Sequence, residues 1–210
     1  MADYCTVAEV KLVMPDSNLN TATDSDAIAA NDAAVGAMIT SASRMIDRYI
    51  GKWDNYFYPT TDTTTRYFDG VINSLYQGID DCVSITTVSV AEGGGTGSTD
   101  YTDWATTDYI TYPYNETPIY RLIIDRNGSK PGWYGYRKAV KVTGIFGYSL
   151  TPPADVNLAC KIQAMRWYMR GKQAFQDSGV SANMGQMFYV QALDPDVKTL
   201  LWNYQIGSMV

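Results

Sequence analysis

The chain contains no histidine. That removes the commonest general base, the commonest transition-metal ligand and the side chain that titrates nearest neutral pH. Cysteine is scarce. Cys5, Cys82 and Cys160 are odd in number, far apart, and form no CxxC or zinc spacing. They read as free thiols in a reducing compartment, not as a disulfide framework. Long apolar runs are missing too: none approaches the roughly 18 residues that span a bilayer. The start MADYCTVAEV has neither the basic region nor the apolar stretch of a signal peptide. These absences point away from a membrane and towards a protein assembled in a cytoplasm.

Charge is also sparse, at 18% of residues, whereas hydrophobic residues reach 46%. Such a balance argues against disorder, and 210 residues suffice for a core without disulfides or metals. The excess of apolar surface hints at faces covered by partners. Tyrosine, with 17 copies, fits this because its ring is apolar and its hydroxyl polar. The net charge of −6 disfavours wholesale nucleic-acid binding. Residues 1–105 carry 5 basic and 15 acidic side chains, and residues 106–210 carry 11 and 7. That asymmetry is either scatter over a surface or a self-complementary contact between subunits.

Four helices are legible. Thr6 with Glu9 forms a capping box ahead of Val7, Val10 and Met14, and Pro15 closes this first helix. A polar loop covers 16–23. Asp24, Ser25 and Asp26 then open a long amphipathic helix, carried by Ile28, Val35, Met38, Ile39, Ala42, Met45, Ile46, Tyr49 and Ile50 and ended by Gly51. Thr151-Pro152-Pro153 opens a third helix, in which Val156, Leu158, Ala159, Ile162, Met165, Trp167 and Met169 occupy most sides. An apolar girdle of that kind predicts a central helix packed on the second, ending at Gly171. Residues 173–186 are polar and read as mobile. Asp194-Pro195-Asp196 caps a short last helix with an apolar face of Val197, Leu200, Leu201 and Tyr204.

Between the second and third helices Val, Ile, Thr and Tyr dominate. Strands are predicted at 64–68, 84–90, 108–112, 120–125 and 138–145, with Asp69-Gly70 and Asn127-Gly128 as tight-turn dipeptides. The expected fold is therefore α+β: a single domain with a helical core of about four helices, 1–51 and 151–210, and a β-rich insertion, 52–150, between the second and third helices.

No segment carries a complete catalytic or cofactor motif. EGGGTGST (92–99) follows a strand but lacks the lysine and following helix of a phosphate loop, so it reads as a hairpin tip. Asp80-Asp81 and Asp100 with Asp103 lack the ligand spacing of a calcium loop and read as solvated turns. Cys160 has no histidine to activate it and reads as a core residue. Arg166 and Arg170 read as ion-pair partners of second-helix acids such as Asp47. No cofactor or metal is expected. Trp133, Tyr134 and Tyr136 sit beside Arg137 and Lys138, with Arg121, Arg126, Lys130 and Lys141 nearby. This set suits a plain sheet surface, a protein interface, or a site for nucleic acid or sugar.

Several ordered segments resemble the head–tail connector family of long-tailed bacteriophages. YCTVAEVKLVMP (4–15) is similar to its first helix, and DAIAANDAAVGAMITSASRMIDRYIGKW (26–53) to its long second helix. TTRYFDG (64–70) is similar to the strand that follows, and LDPDVKTLLWNY (193–204) to the terminal helix. The most specific piece is VKVTGIFGYSLTPPADVNLACKIQAMRWYMR (140–170). The resemblance thins out between Val71 and Arg137. It implies a non-enzymatic structural protein of the virion neck, assembled in the host cytoplasm. Such a protein forms a homo-oligomeric ring of about a dozen subunits by closing a head-to-tail interface. The ring would dock beneath the portal protein, let double-stranded DNA pass without specific binding, and offer a platform to a downstream neck or tail completion protein. The last helix, through Val197, Leu200, Leu201 and Tyr204, would be a candidate docking element. From another class, the Tyr-rich sheet reads as a binding module for carbohydrate or nucleic acid.

Overall fold

Side chains or glycine satisfy the backbone at the helix ends marked by Thr6, Gly51 and Asp194. The computed structural model describes residues 2–14, 25–72, 74–93, 100–172, 178–180, 187–189 and 193–205. Thr6 caps α1 (Val7–Val13): Glu9 donates its N–H to Thr6 Oγ1 at 3.2 Å, and Glu9 Oε2 accepts from the Thr6 N–H at 2.7 Å. That is the predicted capping box. Val10 and Met14 are buried and Val7 half-buried, whereas Pro15 and the 16–23 loop lie outside the described residues. Helix α2 (Ser25–Tyr49) buries Val35, Ile39, Ala42 and Ile46, with Ile50 just beyond it. It stops at Gly51, which adopts φ +75°. The Lys52 N–H reaches back to Asp47 O at 2.9 Å and the Gly51 N–H to Arg48 O at 3.2 Å, the paired bonds of a glycine-ended helix.

Helix α3 (Ala154–Lys172) packs on α2, as predicted, and α4 (Pro195–Leu201) packs on α3. The buried seam of α3 consists of Val156, Ala159, Cys160, Gln163, Ala164 and Tyr168. It is not the all-round apolar helix expected, because Leu158 and Met169 stand 41% and 48% exposed. Small residues face α2 at this seam. Ser43 of α2 comes within 3.4 Å of Cys160. Asp194 caps α4 through the Asp196 N–H at 2.9 Å and forms an ion pair with Arg166. Arg166 was expected beside Asp47, but Asp47 is enclosed by residues of the chain's N-terminal part. A 3-10 turn, Trp202–Tyr204, follows α4.

Six antiparallel strands lie in the chain between α2 and α3, which makes the architecture α+β. They are β1 (Thr64–Phe68), β2 (Tyr76–Val90), β3 (Thr102–Asp103), β4 (Tyr109–Tyr112), β5 (Ile119–Ile124) and β6 (Val140–Phe146). The order is β1-β6-β2-β5-β4, with β3 paired to β2. Val140, Val142 and Phe146 are buried and alternate with half-exposed Lys141, Thr143 and Ile145, the period-two signal that betrays β6 in the sequence. Gly144 is required there, since a Cβ would lie 2.2 Å from Ser84 O of β2.

β2 begins eight residues before its predicted start. Gly78, Asp80 and Asp81 are poor strand formers, and the register shifts around them, between Gly78 and Cys82 and again between Cys82 and Ser84. Bulges let the strand pass from β5 to β6 as partner. The two aspartates are thus strand residues rather than turn residues: Asp80 binds Arg66 at 2.6 Å, and the Asp81 carbonyl accepts from the Gly147 N–H at 2.9 Å. Asp103, in β3, accepts from Ser89 Oγ at 2.6 Å. Asp69-Gly70 is no hairpin either. The Gly70 N–H meets Tyr136 O at 2.9 Å, and a Cβ on Gly70 would fall 1.8 Å from Tyr134 O. Asn127-Gly128 does form its turn, with the Gly128 N–H on Asp125 O at 3.0 Å.

Residues 94–99, most of the predicted hairpin tip, lie outside the described residues. So does most of 173–186, but Ser178–Val180 (β7) pairs with Met187–Tyr189 (β8) in that region, where a polar mobile segment was expected. The chain divides into two compact units, Met1–Phe57 with Pro152–Val210, and Tyr58–Thr151. Residues 52–57 belong with the helices, not with the insertion, because Phe57 is wholly buried, edge-on to Tyr4 at 5.7 Å and to Tyr204 at 5.0 Å. Counted by unit, the helical part carries nine basic and twelve acidic side chains and the sheet part seven and ten. The polarity between chain halves is therefore absent between folded units, each of which is net −3.

A buried polar knot holds the helical unit at its N-terminal end. The Tyr4 hydroxyl donates to Asp47 Oδ1 and accepts the Phe57 N–H at 3.1 Å. Asp47 Oδ2 accepts the Asn55 N–H at 3.0 Å and lies 3.4 Å from the Arg44 guanidinium. Arg44 also donates to the Ala2 carbonyl at 3.1 Å. Burial pushes the Asp47 carboxyl up to about 6, against the opposing pull of the Tyr4 hydroxyl, Arg44 and the Asn55 N–H. Unfolded, an aspartate titrates near pH 3.9. The folded state holds the Asp47 proton more tightly, so the stability it confers is complete below about pH 4 and is lost as pH rises through about 6. Urea denaturation of wild type and Asp47→Asn across pH 4–7 should diverge by about 3 kcal/mol, wild type losing the more as pH rises. Parallel pH profiles would refute this.

Candidate interaction surface

The irregular connection 125–139 between β5 and β6, not a strand, carries the aromatic and basic residues singled out in the sequence. Carboxylates pin it down. Asp108 Oδ1 accepts the Ser129 N–H at 2.8 Å and the Ser129 hydroxyl at 2.9 Å, while its Oδ2 accepts the Ala105 N–H at 3.1 Å. These donors, the Ser129 backbone first, hold the Asp108 carboxyl below the usual carboxylate range. Glu92 accepts from Trp104 Nε1 at 2.7 Å and from Lys130 Nζ at 2.5 Å. Its carboxyl is likewise lowered, chiefly by Lys130. The two indoles of Trp104 and Trp133 stack at 4.8 Å with 24° between planes, and Trp133 Nε1 donates to the Leu75 carbonyl at 3.3 Å.

Trp133 is thus a core residue, only 3% exposed. Its neighbours open outward. Tyr134 and Tyr136 stack in near-parallel fashion at 6.4 Å and 11°. Together with Pro131, Ile72, Ser74 and Leu75 they line a shallow groove of about 470 Å³. Gly135 lets the two walls approach, since a Cβ there would sit 2.5 Å from Ile72 Cβ. Tyr136, Arg137 and Lys138 are exposed. Lys138 has φ +53°, held by its N–H on Asp69 Oδ1 at 2.8 Å and its carbonyl on the Tyr101 hydroxyl at 2.7 Å. Its ammonium lies 6.0 Å from the Tyr67 ring, and Lys141 lies 4.8 Å from the Tyr101 ring. The five predicted residues therefore divide: Trp133, almost wholly buried, lines the groove together with Tyr134 and Tyr136, Arg137 stands exposed, and Lys138 joins a second Tyr–Lys group.

A third group was missed in the sequence. The Arg121 guanidinium lies 5.6 Å from the Tyr76 ring and 5.7 Å from those of Tyr112 and Tyr120. Tyr114 and Tyr120 meet Tyr112 edge-on at 5.4 and 5.6 Å. In the ladder Arg121 is directly opposite Tyr112 on one side and Gly78 on the other. The available signal was the tyrosine density of 109–120, but grouping these rings around Arg121 requires the β4–β5 register.

The last helix turns its apolar face inward. Val197 and Leu201 are fully buried, Leu200 and Tyr204 half-buried, and Tyr204 packs on Phe57. Val197 and Leu201 are thus held by the chain's own core rather than presented to a partner. The large apolar side chain exposed among the described residues of this region is Trp202, at 71%.

The remaining candidates resolve structurally. Asp80 and Asp103 are engaged as described, and Cys82 is buried, its thiol pushed up to about 11 by burial. No group of three or more Cys, Asp or Glu side chains able to hold a metal ion occurs among the described residues, and none of their helices is long and apolar enough to cross a membrane. No known family model matches the sequence, and no curated protein matches it significantly.

Trp133→Ala should cost the sheet unit about 3–5 kcal/mol, read as a lowered denaturation midpoint. Tyr136→Ala, at an exposed ring, should stay within about 1 kcal/mol of wild type. Equal losses would show that the two rings do not divide into support and surface.

Proposed function

We propose that this chain is a structural head–tail adaptor of a long-tailed bacteriophage, a ring-forming neck protein without chemistry of its own. The observation that carries the reading is where the family-like segments meet. TTRYF and VKVTGIF, more than seventy residues apart in sequence, pair with each other as β1 and β6 in register from Thr64↔Gly144 to Phe68↔Val140. The four family-like helical segments form one unit around α2 and α3. The divergent residues 71–137 supply the other strands, β2 to β5. A framework of matching pieces with a divergent addition is what such a family member would contain.

In this reading subunits join head to tail and close into a ring, which docks beneath the portal and receives a downstream neck or tail completion protein. Leu12, Leu158, Met169 and Trp202, all exposed on the helical unit, supply apolar contact area. An overall charge of −6 suits a channel wall along which DNA moves, because dense cationic contacts would grip the phosphates. Purified protein, alone and mixed with portal complexes, should show rings or portal-bound density in negative-stain micrographs. Monomers in both samples, checked by sedimentation at high concentration, would sink the reading.

The Arg121 group favours a second reading, a binding face for carbohydrate or single-stranded nucleic acid. Three tyrosine rings beside one guanidinium combine stacking surfaces with positive charge. Binding to immobilised glycans or oligonucleotides should then drop at least tenfold in Tyr112→Ala and Tyr120→Ala with folding intact. Undetectable binding by wild type would dismiss it.

A further inference from the structure

We propose that Cys5 and Cys160 form a thiol–disulfide site that can staple the N-terminal segment to α3. Their sulfurs lie 3.3 Å apart although 155 residues separate them in the chain. Both are buried, at 5% and 0% exposure, and the pair lies wholly within the helical unit. Reaching the roughly 2.05 Å of an S–S bond needs a shift of only about 1.3 Å.

The surroundings hold the pair in place. On one side of Cys5, the Tyr4 N–H donates to Ser43 Oγ at 3.1 Å, and the Tyr4 carbonyl accepts from Asn157 Nδ2 at 2.8 Å. On the other side, Thr6 is tied into the cap of α1. The backbone at Cys5 is therefore anchored to both α2 and α3, and Asn157 stands one helical turn before Cys160. Cys82, the remaining cysteine, belongs to the sheet unit and donates to the carbonyls of Ser84 and Ile145 at 2.9 and 3.2 Å.

The two thiols are also unlike. The Cys5 thiol donates to Cys160 Sγ, and that hydrogen bond pushes Cys5 up and draws Cys160 down. Ser43 Oγ, 3.4 Å from Cys160 Sγ, also draws Cys160 down and stays beside it when Cys5 has reacted, which suits Cys160 as the resolving nucleophile. The oxidant required is a small-molecule disulfide such as glutathione disulfide. Access requires a local opening that breaks the Tyr4 contacts to Ser43 and Asn157, and the same opening exposes Cys5 and breaks the hydrogen bond that retains its proton. The Cys5 thiolate attacks one glutathione sulfur, forming a mixed disulfide and expelling one glutathione thiolate. The Cys160 thiolate then attacks Cys5 Sγ, forming the protein disulfide and expelling the second. Two protein thiols are oxidised and one glutathione disulfide is reduced to two thiols, which take up both protons. This site stands independently of the adaptor reading.

The test is to incubate the full chain with glutathione disulfide, quench with acid, denature, and count free thiols. The expected count falls from three to one, the intact mass drops by about two hydrogens, and a proteolytic digest contains a Cys5–Cys160 linked peptide that dithiothreitol removes. Cys160→Ser, lacking the resolving sulfur, should instead accumulate a glutathione adduct on Cys5. Three free thiols after prolonged incubation, a stable adduct in the wild type, or a link that involves Cys82 would each overturn the proposal.

Discussion

Asp47 is the residue on which the helical unit turns. It sits at the C-terminal end of α2, wholly buried, and gathers the Tyr4 hydroxyl, the Asn55 N–H and the Arg44 guanidinium. Those groups come from three stretches of chain: the segment before α1, α2 itself, and the exit towards the sheet. A carboxyl taken out of water must be compensated by donors, or it forces its surroundings open. Satisfying it fixes where the Tyr4 segment lies, where α2 stops, and how residues 52–57 leave. Phe57 packs between Tyr4 and Tyr204, which ties the Trp202–Tyr204 turn to the same centre.

The sheet unit relies on a different constraint, the close approach of backbones. Gly70, Gly135 and Gly144 each lie where a methyl group would collide with a neighbouring segment. The Trp104–Trp133 stack and the carboxylates of Glu92 and Asp108 then fix the connection between β5 and β6. That connection presents Tyr134 and Tyr136 to solvent on a rigid base. The surface is thus built from loops with polar anchors, an arrangement that can vary in sequence while the strands below it keep their register.

Local chemistry was legible wherever it was self-contained. The Thr6–Glu9 box, the Gly51 helix end, the Asp194 cap and the β1 and β6 strands all depend on residues within a few positions of one another. Misreadings arose where a distant partner decided the outcome. Asp80 and Asp81 look like turn residues until Arg66 and Gly147 are placed beside them. Gly70 looks like a hairpin glycine until Tyr134 arrives from sixty-odd residues away. Trp133 looks like an exposed ring until Trp104 stacks on it. Arg121 could not be joined to Tyr76 without the β2–β5 ladder.

The amino-acid order by itself determined the four helices, the β-rich stretch between the second and third, and the absence of histidine chemistry. Periodicity, capping and composition act over short distances, so one dimension is enough to read them. Tertiary structure alone decided which apolar faces are spent on the chain's own core, which carboxylates are anchors, and that Cys5 in the N-terminal segment faces Cys160 of α3. Those outcomes rest on burial and on contacts between residues far apart in the chain, and neither quantity exists until the chain has folded.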